Sequence, residues 1–474
     1  MARNPYQKPP GLLGEFADYI YAASPRPVAE IALAGAIGFM AGVCGRAYNV
    51  SGTGLNQYVL FVAKTGTGKS APRGAINRFM AHAQSDAWHV GNIPNAMPNL
   101  SEYIGPGEFS SGQALLKQFG RSRSFVSILG EFGLTMKRLT HPRASSSEIM
   151  LRRVLLDLYD MSGQGQLLQP MVYSDAAKNT EATESPAITI LCESTPETIY
   201  GQLDESLIAD GLLPRFLTVT YAGPRPKQSV THYAALPTSD MMHRFAALFQ
   251  KVAYLNSHNA VEHVQVAADA HAFIGPQGEV DTYADDQINA PGQLSAVSEL
   301  WNRAHLKALK LAALVAVGEN PEAPMVTLAN AHWAYGIVKA GIEDLAHRFE
   351  AGEVGDQSRS ETVQVQKVRE VCLDYMTKPW AEISKYNVGR PEYHERRIIP
   401  WSYLAKRLSN VAAFKGGYRR KIDEAMLYLR DCGEFCEIPK MQIPKKVNSQ
   451  ARYFIAGDEH EIFRNNPFAG LFDE

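Results

Sequence analysis

Residues 57–70 read QYVLFVAKTGTGKS, a short β-rich apolar run that breaks into a glycine loop, and no other stretch of the chain restricts the fold as tightly. Residues 71–84 follow with helical character, so the loop lies between a strand and a helix. That context matters because a helix N-terminus offers unpaired N–H groups and the positive end of its dipole to an anion. Gly66 and Gly68 let successive backbone N–H groups curl around phosphate oxygens, a path that a Cβ would obstruct. The Lys69 ammonium neutralises terminal phosphate charge, and the Ser70 hydroxyl suits Mg2+. Lys64, Thr65, Gly66, Thr67, Gly68, Lys69 and Ser70 therefore form a Walker A match that predicts ATP and Mg2+ as ligands. The usual first glycine of that motif is Ala63, a small-residue replacement. A chance glycine-rich turn is the ordinary alternative, and the strand–loop–helix order weighs against it.

Hydrolysis needs a second acid. Residues 125–131, FVSILGE, form a β run that ends on Glu131, where a carboxylate can polarise an attacking water. The preceding position, usually an Asp that holds Mg2+ through water, is Gly130. Either hydrolysis is slowed or another carboxylate supplies the contact; the plainer reading of Glu131 is a strand-end carboxylate. A further run, residues 187–194, leads into Cys192-Glu193-Ser194-Thr195-Pro196. A polar side chain at that tip would sit beside the γ-phosphate; Thr195 is the first choice and Ser194 the second. A helix N-cap is the competing role for Thr195.

With a fourth β run at 215–223 and helical stretches at 111–119, 145–159 and 195–202, the pattern is an α/β core with a mainly parallel sheet. Residues 163–173, with Lys178 nearby, read as a hairpin arm. Residues 300–317 and 328–350 are the clearest helices of a helical stretch spanning 236–350. Leu306, Leu309, Ala313 and Val317 recur on one face that packs as core, and Trp333 reads as core too. The expected organisation is a helical segment at 1–50, the core at 51–235, a helical lid at 236–350, a polar linker at 351–364, a second domain at 365–457 and a tail at 458–474.

The net charge of −2 over 474 residues hides an uneven distribution. Residues 366–456 hold 18 Lys and Arg against 10 Asp and Glu, a net of +8 that leaves −10 for the rest. A basic appendage behind an acidic body suits a polyanion, because Lys and Arg displace counterions from phosphates. Its pattern is that of a winged helix: helices at 365–376 and 401–408, a Gly416-Gly417 turn, then a third helix at 418–431 with Ile422, Ala425, Met426 and Leu429 buried. Arg419, Arg420 and Lys421 open that helix, where side chains meet bases or phosphates. Lys440, Lys445 and Lys446 follow in a hairpin wing that could straddle phosphates. A winged helix used for subunit contacts, or a merely solvated basic surface, is the plain alternative.

Cys44, Cys192, Cys372, Cys432 and Cys436 are too few and scattered for a disulfide scaffold or zinc ribbon, which suits a reducing, cytoplasmic setting. The opening residues show no apolar signal-peptide core. The most membrane-like stretch, residues 28–44, is short, carries Glu30 and is rich in Ala and Gly, so it reads as a closely packed buried helix rather than a span.

In this order the segments resemble two related groups. One is a family of phage and prophage helicase-like P-loop ATPases, a domain of unknown function, with an Ala-rich N-terminal helix, the Walker A strand and loop, a short acidic strand and a Gly-Leu-x-x-Arg-Phe element. The other is the AAA+ ATPases of the minichromosome-maintenance type. The matching segments are GLLPRF at 211–216 and LWNRAHLKALKLAALVAV at 300–317. The resemblance implies a P-loop NTPase core of the AAA+/RecA-like kind. It implies that Arg215 is an arginine finger reaching a neighbour's γ-phosphate, and Arg303 a sensor closing over its own or a neighbouring nucleotide. A guanidinium, always charged and with fixed donors, suits both tasks; a surface salt bridge and a helix contact are the plain readings. The function implied is an ATP-driven motor on single-stranded or forked DNA, a ring-forming replicative helicase or helicase loader acting as a homo-oligomer such as a hexamer. A nucleotide-gated DNA-binding switch without translocation is the alternative, and no nuclease motif supports a packaging role.

Overall fold

The apolar run before the glycine loop forms the inner strand β1 (Tyr58–Ala63), buried along its whole length. It pairs in parallel with β3 (Ala187–Ser194) on one side and β4 (Phe216–Tyr221) on the other, and β3 pairs in parallel with β2 (Ser124–Leu129). The order is β2-β3-β1-β4, so one strand lies between the glycine-loop strand and the strand leading to Glu131. In this computed structural model the described residues are 5–85, 99–140, 144–172, 179–201, 208, 211–290, 295–350, 357–414, 417–444, 451–457 and 468.

Helix α1 (Gly11–Ala22) and α2 (Ala29–Cys44) precede the sheet, and α3 (Ala71–Ala83) follows the glycine loop. The Ala- and Gly-rich composition of α2 has a packing cause. A Cβ at Gly42 would stand 2.6 Å from Val126 Cβ, and one at Gly38 3.0 Å from Leu191. Glycines therefore let the helix lie directly on β2 and β3. Phe39 of α2 packs with Phe16, Phe79 and Phe245, ring centroids 4.8 to 6.1 Å apart within the four, in the edge and tilted arrangements aromatic pairs favour. Among the described residues no helix is long and apolar enough to cross a membrane.

Helix α4 (Ser146–Asp160) is fixed at its start by a capping box between Ser145 and Glu148. Helices α5 (Ala304–Glu319) and α6 (Leu328–Glu350) come from the stretch expected to form a lid. They do not stand apart: Leu13, Leu191, Phe245 and Leu314 belong to one continuous core, and residues 1–354 form one compact unit. The helix expected over 300–317 is two, Ser295–Trp301 and α5, parted at Asn302 and Arg303. Nor is α5 one-faced; it is buried nearly all round, while Leu306 is only half-buried. Trp333 is half-buried, its indole N–H donating to Gln7 O at 2.6 Å.

Residues 355–474 form the second unit. Its first helix, α7 (Gln357–Thr377), starts inside the expected linker and eight residues before the expected helix start at 365. Helices α8 (Trp401–Leu408) and α9 (Tyr418–Asp431) follow. Three short strands, β5 (Ile399–Pro400), β6 (Phe435–Glu437) and β7 (Tyr453–Ala456), form an antiparallel sheet with β7 in the middle. Ile422, Ala425, Met426 and Leu429 are buried against Val368, Cys372, Tyr375 and Leu404, as their spacing predicts.

Candidate functional site

The loop between β1 and α3 leaves the carboxyl end of a parallel sheet, the end at which α/β folds bind ligands. Gly66 and Gly68 have φ of 80° and 90°, a region that side chains disfavour. At Gly68 space is short as well, since a Cβ would meet Arg26 O at 2.6 Å. The buried Thr67 hydroxyl donates to Lys64 O at 2.6 Å, and Ala71 N–H donates to Gly68 O at 2.9 Å, which closes the turn into α3. Lys64, Thr65, Gly66 and Ser70 are exposed around this frame.

Lys69 is turned inward. Its ammonium lies 3.8 Å from Glu131 Oε1, with the lysine side chain 9% exposed and the glutamate 54%. Glu131 itself has φ of 41°, a left-handed conformation that costs a non-glycine residue about 1 kcal/mol or more and recurs at functional sites. A cavity of about 540 Å³ opens beside it, lined by Arg73, Gly130, Glu131, Phe132 and Arg138. Glu193, at the tip of β3, reaches the same region, and its Oε2 is buried without a hydrogen-bond partner. Burial raises the Glu193 carboxyl above the ordinary glutamate range; Lys69 opposes the rise, Glu131 adds to it and Arg73 opposes it. Ser70 and these carboxylates offer the oxygen ligands that Mg2+ requires, and a shielded carboxylate oxygen lacking a donor fits a cation. Among the described residues no group of three or more His, Cys, Asp or Glu is arranged to hold a metal unaided.

Two arginines here escaped sequence reasoning. Arg225 Nε donates to Gly66 O at 3.0 Å and so braces the loop directly, and Arg26 Nη1 donates to Pro226 O at 2.6 Å, beside Arg225 in the chain. Neither belongs to a periodic or spaced motif. Thr195 follows the last residue of β3 and takes the competing role: its hydroxyl accepts from Thr198 N–H at 3.2 Å as the N-cap of the helix Pro196–Tyr200. Ser194 is buried.

Arg215 and Arg303 lie elsewhere. Arg215 precedes β4, whose six residues pair with β1 from Tyr58 to Ala63, so roughly 20 Å of strand separates it from the glycine loop of its own chain. Arg303, expected within a helix, stands at the N-cap of α5 because the helix breaks there. Both guanidinium groups converge on Asp160, at 3.1 Å from Arg215 and 2.9 Å from Arg303. Arg215 also donates to Gly211 O at 2.7 Å, while its buried Nε has no partner. Closure of Arg303 over its own nucleotide, one of the two options implied by resemblance, is thus at odds with this arrangement. Asp160 carried no signal in the sequence beyond ending a helix.

In the second unit Arg419 and Arg420 are exposed at the start of α9, with Arg420 3.4 Å from Glu424. Lys421 turns back to donate to Ala413 O at 3.3 Å, which makes it part of the α9 anchor rather than a free cation. Lys440 lies in a short 3-10 turn, Lys440–Gln442, between β6 and β7. Lys445 and Lys446 lie outside the described residues, as do Lys178, Tyr173 and nearly all of the expected tail. The start of the expected arm pairs as Leu167–Leu168 with Thr183–Glu184. Comparison of the chain with protein-family models gives no match, and comparison with curated proteins gives none either.

Proposed function

We propose that residues 1–354 bind ATP with Mg2+ and hydrolyse it, as a P-loop NTPase core of the AAA+/RecA-like kind. The observation that carries the reading is the glycine loop itself: two left-handed glycines between an inner parallel strand and a helix N-terminus, with Lys69 directed at Glu131. Backbone N–H groups of such a loop hold phosphate oxygens, and Lys69 balances their charge. When bound, Mg2+ would supply charge neutralisation for the phosphates during transfer. In this reading Ser70 would hold it through its hydroxyl, and Glu131 would orient a water.

In the second unit the order helix–strand–helix–helix–strand–strand, with β7 between its neighbours, supports a winged helix, and its excess of Lys and Arg supports DNA as partner. Together these support an ATP-driven DNA motor, a helicase or helicase loader of phage or mobile-element type. Because Arg215 lies at the opposite end of the sheet from its own loop, it can act as a finger only on a neighbour, which makes a homo-oligomeric ring such as a hexamer part of this reading. The second reading, a nucleotide-gated switch without translocation, is favoured by Gly130 and by Asp160 holding both arginines. Calorimetry with ATP and Mg2+ tests the common core. Lys69→Ala should abolish the binding heat of wild type, and a folded wild-type chain that gives no heat would end both readings. Steady-state ATPase rates with and without single-stranded DNA then separate motor from switch.

A further inference from the structure

The strand that ends at Leu129 delivers a glycine, not an aspartate, to position 130, so no carboxylate stands there beside the loop. The neighbouring strand offers one. Leu129 is in register with Cys192, so Gly130 and Glu193 leave their strands at the same level, and Glu193 is in register with Phe61 on the glycine-loop strand. A Cβ built on Gly130 would stand 3.8 Å from Glu193 Oε1. An aspartate at 130 would therefore extend into the space that Glu193 fills. Gly130 does not have the positive φ that requires glycine; what its lack of a side chain provides is room.

The second observation is chemical. Glu193 Oε2 is shielded from solvent and has no donor. A carboxylate oxygen in that condition is costly unless a cation reaches it. Glu131, by contrast, is half exposed and carries the contact to Lys69. Resting on the reading of the loop as a magnesium–nucleotide site, we propose that Glu193 is the carboxylate that faces Mg2+ there, in place of the one position 130 does not supply. Glu131 keeps the water, and the division of labour between two carboxylates is then spread over two strands.

The test is the magnesium dependence of binding of a fluorescent ATP analogue, measured by titration in Mg2+ and in EDTA, so that turnover is not the readout. Wild type should bind more tightly in Mg2+. Glu193→Gln should keep the affinity in EDTA within about two-fold and lose about ten-fold or more of the gain from Mg2+, the range found for groups that support a bound metal. Glu193→Ala combined with Gly130→Asp should recover part of that gain, since truncation vacates the space beside position 130. An undiminished Mg2+ gain in Glu193→Gln overturns the proposal while leaving the nucleotide site standing. Loss of binding in EDTA as well would make Glu193 a support of the loop fold and overturn it equally. A wild-type chain that binds the analogue in neither condition fails at the nucleotide reading itself.

Discussion

Two lysines on α5, Lys307 and Lys310, are fully buried at the end of the sheet opposite the glycine loop, and they make stability depend on pH in a direction unusual for a protein. Lys310 Nζ donates to Asn56 Oδ1 at 2.8 Å and to Tyr159 O at 3.3 Å, and lies 4.5 Å from the centre of the Tyr159 ring. Lys307 Nζ donates to Phe216 O at 3.1 Å. Burial lowers each ammonium to a pKa of about 7; at Lys310 Asp160 pulls the value up and Arg303 pushes it down. The ordinary lysine value is 10.5. Between pH 7 and 10.5 the unfolded chain therefore holds protons that the folded chain has released, so stability rises with pH across that window and is lost as pH falls through 7.

The slope is about 1.4 kcal/mol per pH unit for each lysine, so from pH 7 to pH 9 Lys310 alone contributes on the order of 3 kcal/mol. Replacing it with Met keeps most of the apolar stem and removes the proton. Asn56 Oδ1 still accepts from the Ser162 hydroxyl at 2.6 Å, so the lost hydrogen bonds cost only about 1 kcal/mol each. Lys310→Met should thus be stabilising at pH 6.5, where the wild type bears the whole cost of the lowered pKa, and close to neutral at pH 9, where about 3 kcal/mol of that advantage is gone. Urea unfolding at the two pH values reads this as a midpoint shift that changes with pH, with the m-value held. The same pH dependence in wild type and Lys310→Met would refute the reasoning, because it would mean that Lys310 is charged in the fold or titrates as it does unfolded.

Four further outcomes follow from the geometry. Asp160→Ala should lower stability by about 1–3 kcal/mol, read by urea unfolding, because Arg215 is left shielded without its counter-charge; an unchanged midpoint would show that the ion pairs are ornamental. Gly42→Ala should cost about 1–3 kcal/mol by forcing α2 off Val126, read as a fall in melting temperature; an unaltered melt would contradict the close approach. Arg215→Ala should abolish ATP turnover and spare ATP binding, and mixing it with Lys69→Ala should regain activity at mixed interfaces. No regained activity in a confirmed ring removes the in-trans role. Deleting residues 355–474 should remove salt-sensitive DNA binding and leave nucleotide binding intact, and an undiminished DNA affinity in a filter or anisotropy assay would refute the role given to α9.

What was legible in the sequence was local. The glycine loop is contiguous, so its strand and turn could be read from fourteen adjacent residues and its helix from those that follow, and β3 runs over the residues its apolar run marks, Ala187–Ser194. Breaks inside apolar stretches were not legible: Leu300 and Trp301 before the break, and Ala304 after it, are all buried, so hydrophobicity runs on through the place where the helix stops at Asn302. The early start of α7 was hidden for the opposite reason. Residues 357–364, QSRSETVQ, lack the apolar spacing that announces a helix. Charge counting gave the net excess of the second unit but not which cations are paired: Arg452 meets Asp423 and Glu437, Arg369 meets Glu434, and Arg407 meets Asp374.

The residues that escaped are those whose meaning depends on strand order. Glu193 becomes a neighbour of position 130 only because β3 is inserted between β1 and β2. Asp160 meets Arg215 and Arg303 only because α4 ends near the starting edge of the sheet, where β4 begins. The same topology sets two groups at opposite ends: the glycine loop and Lys69 where the parallel strands finish, the Arg215 and Arg303 guanidinium groups where they start. A parallel sheet cannot bring its two ends together within one chain. If Arg215 has a phosphate to meet, a second copy must bring it, and Asp160 is what occupies the guanidinium until then.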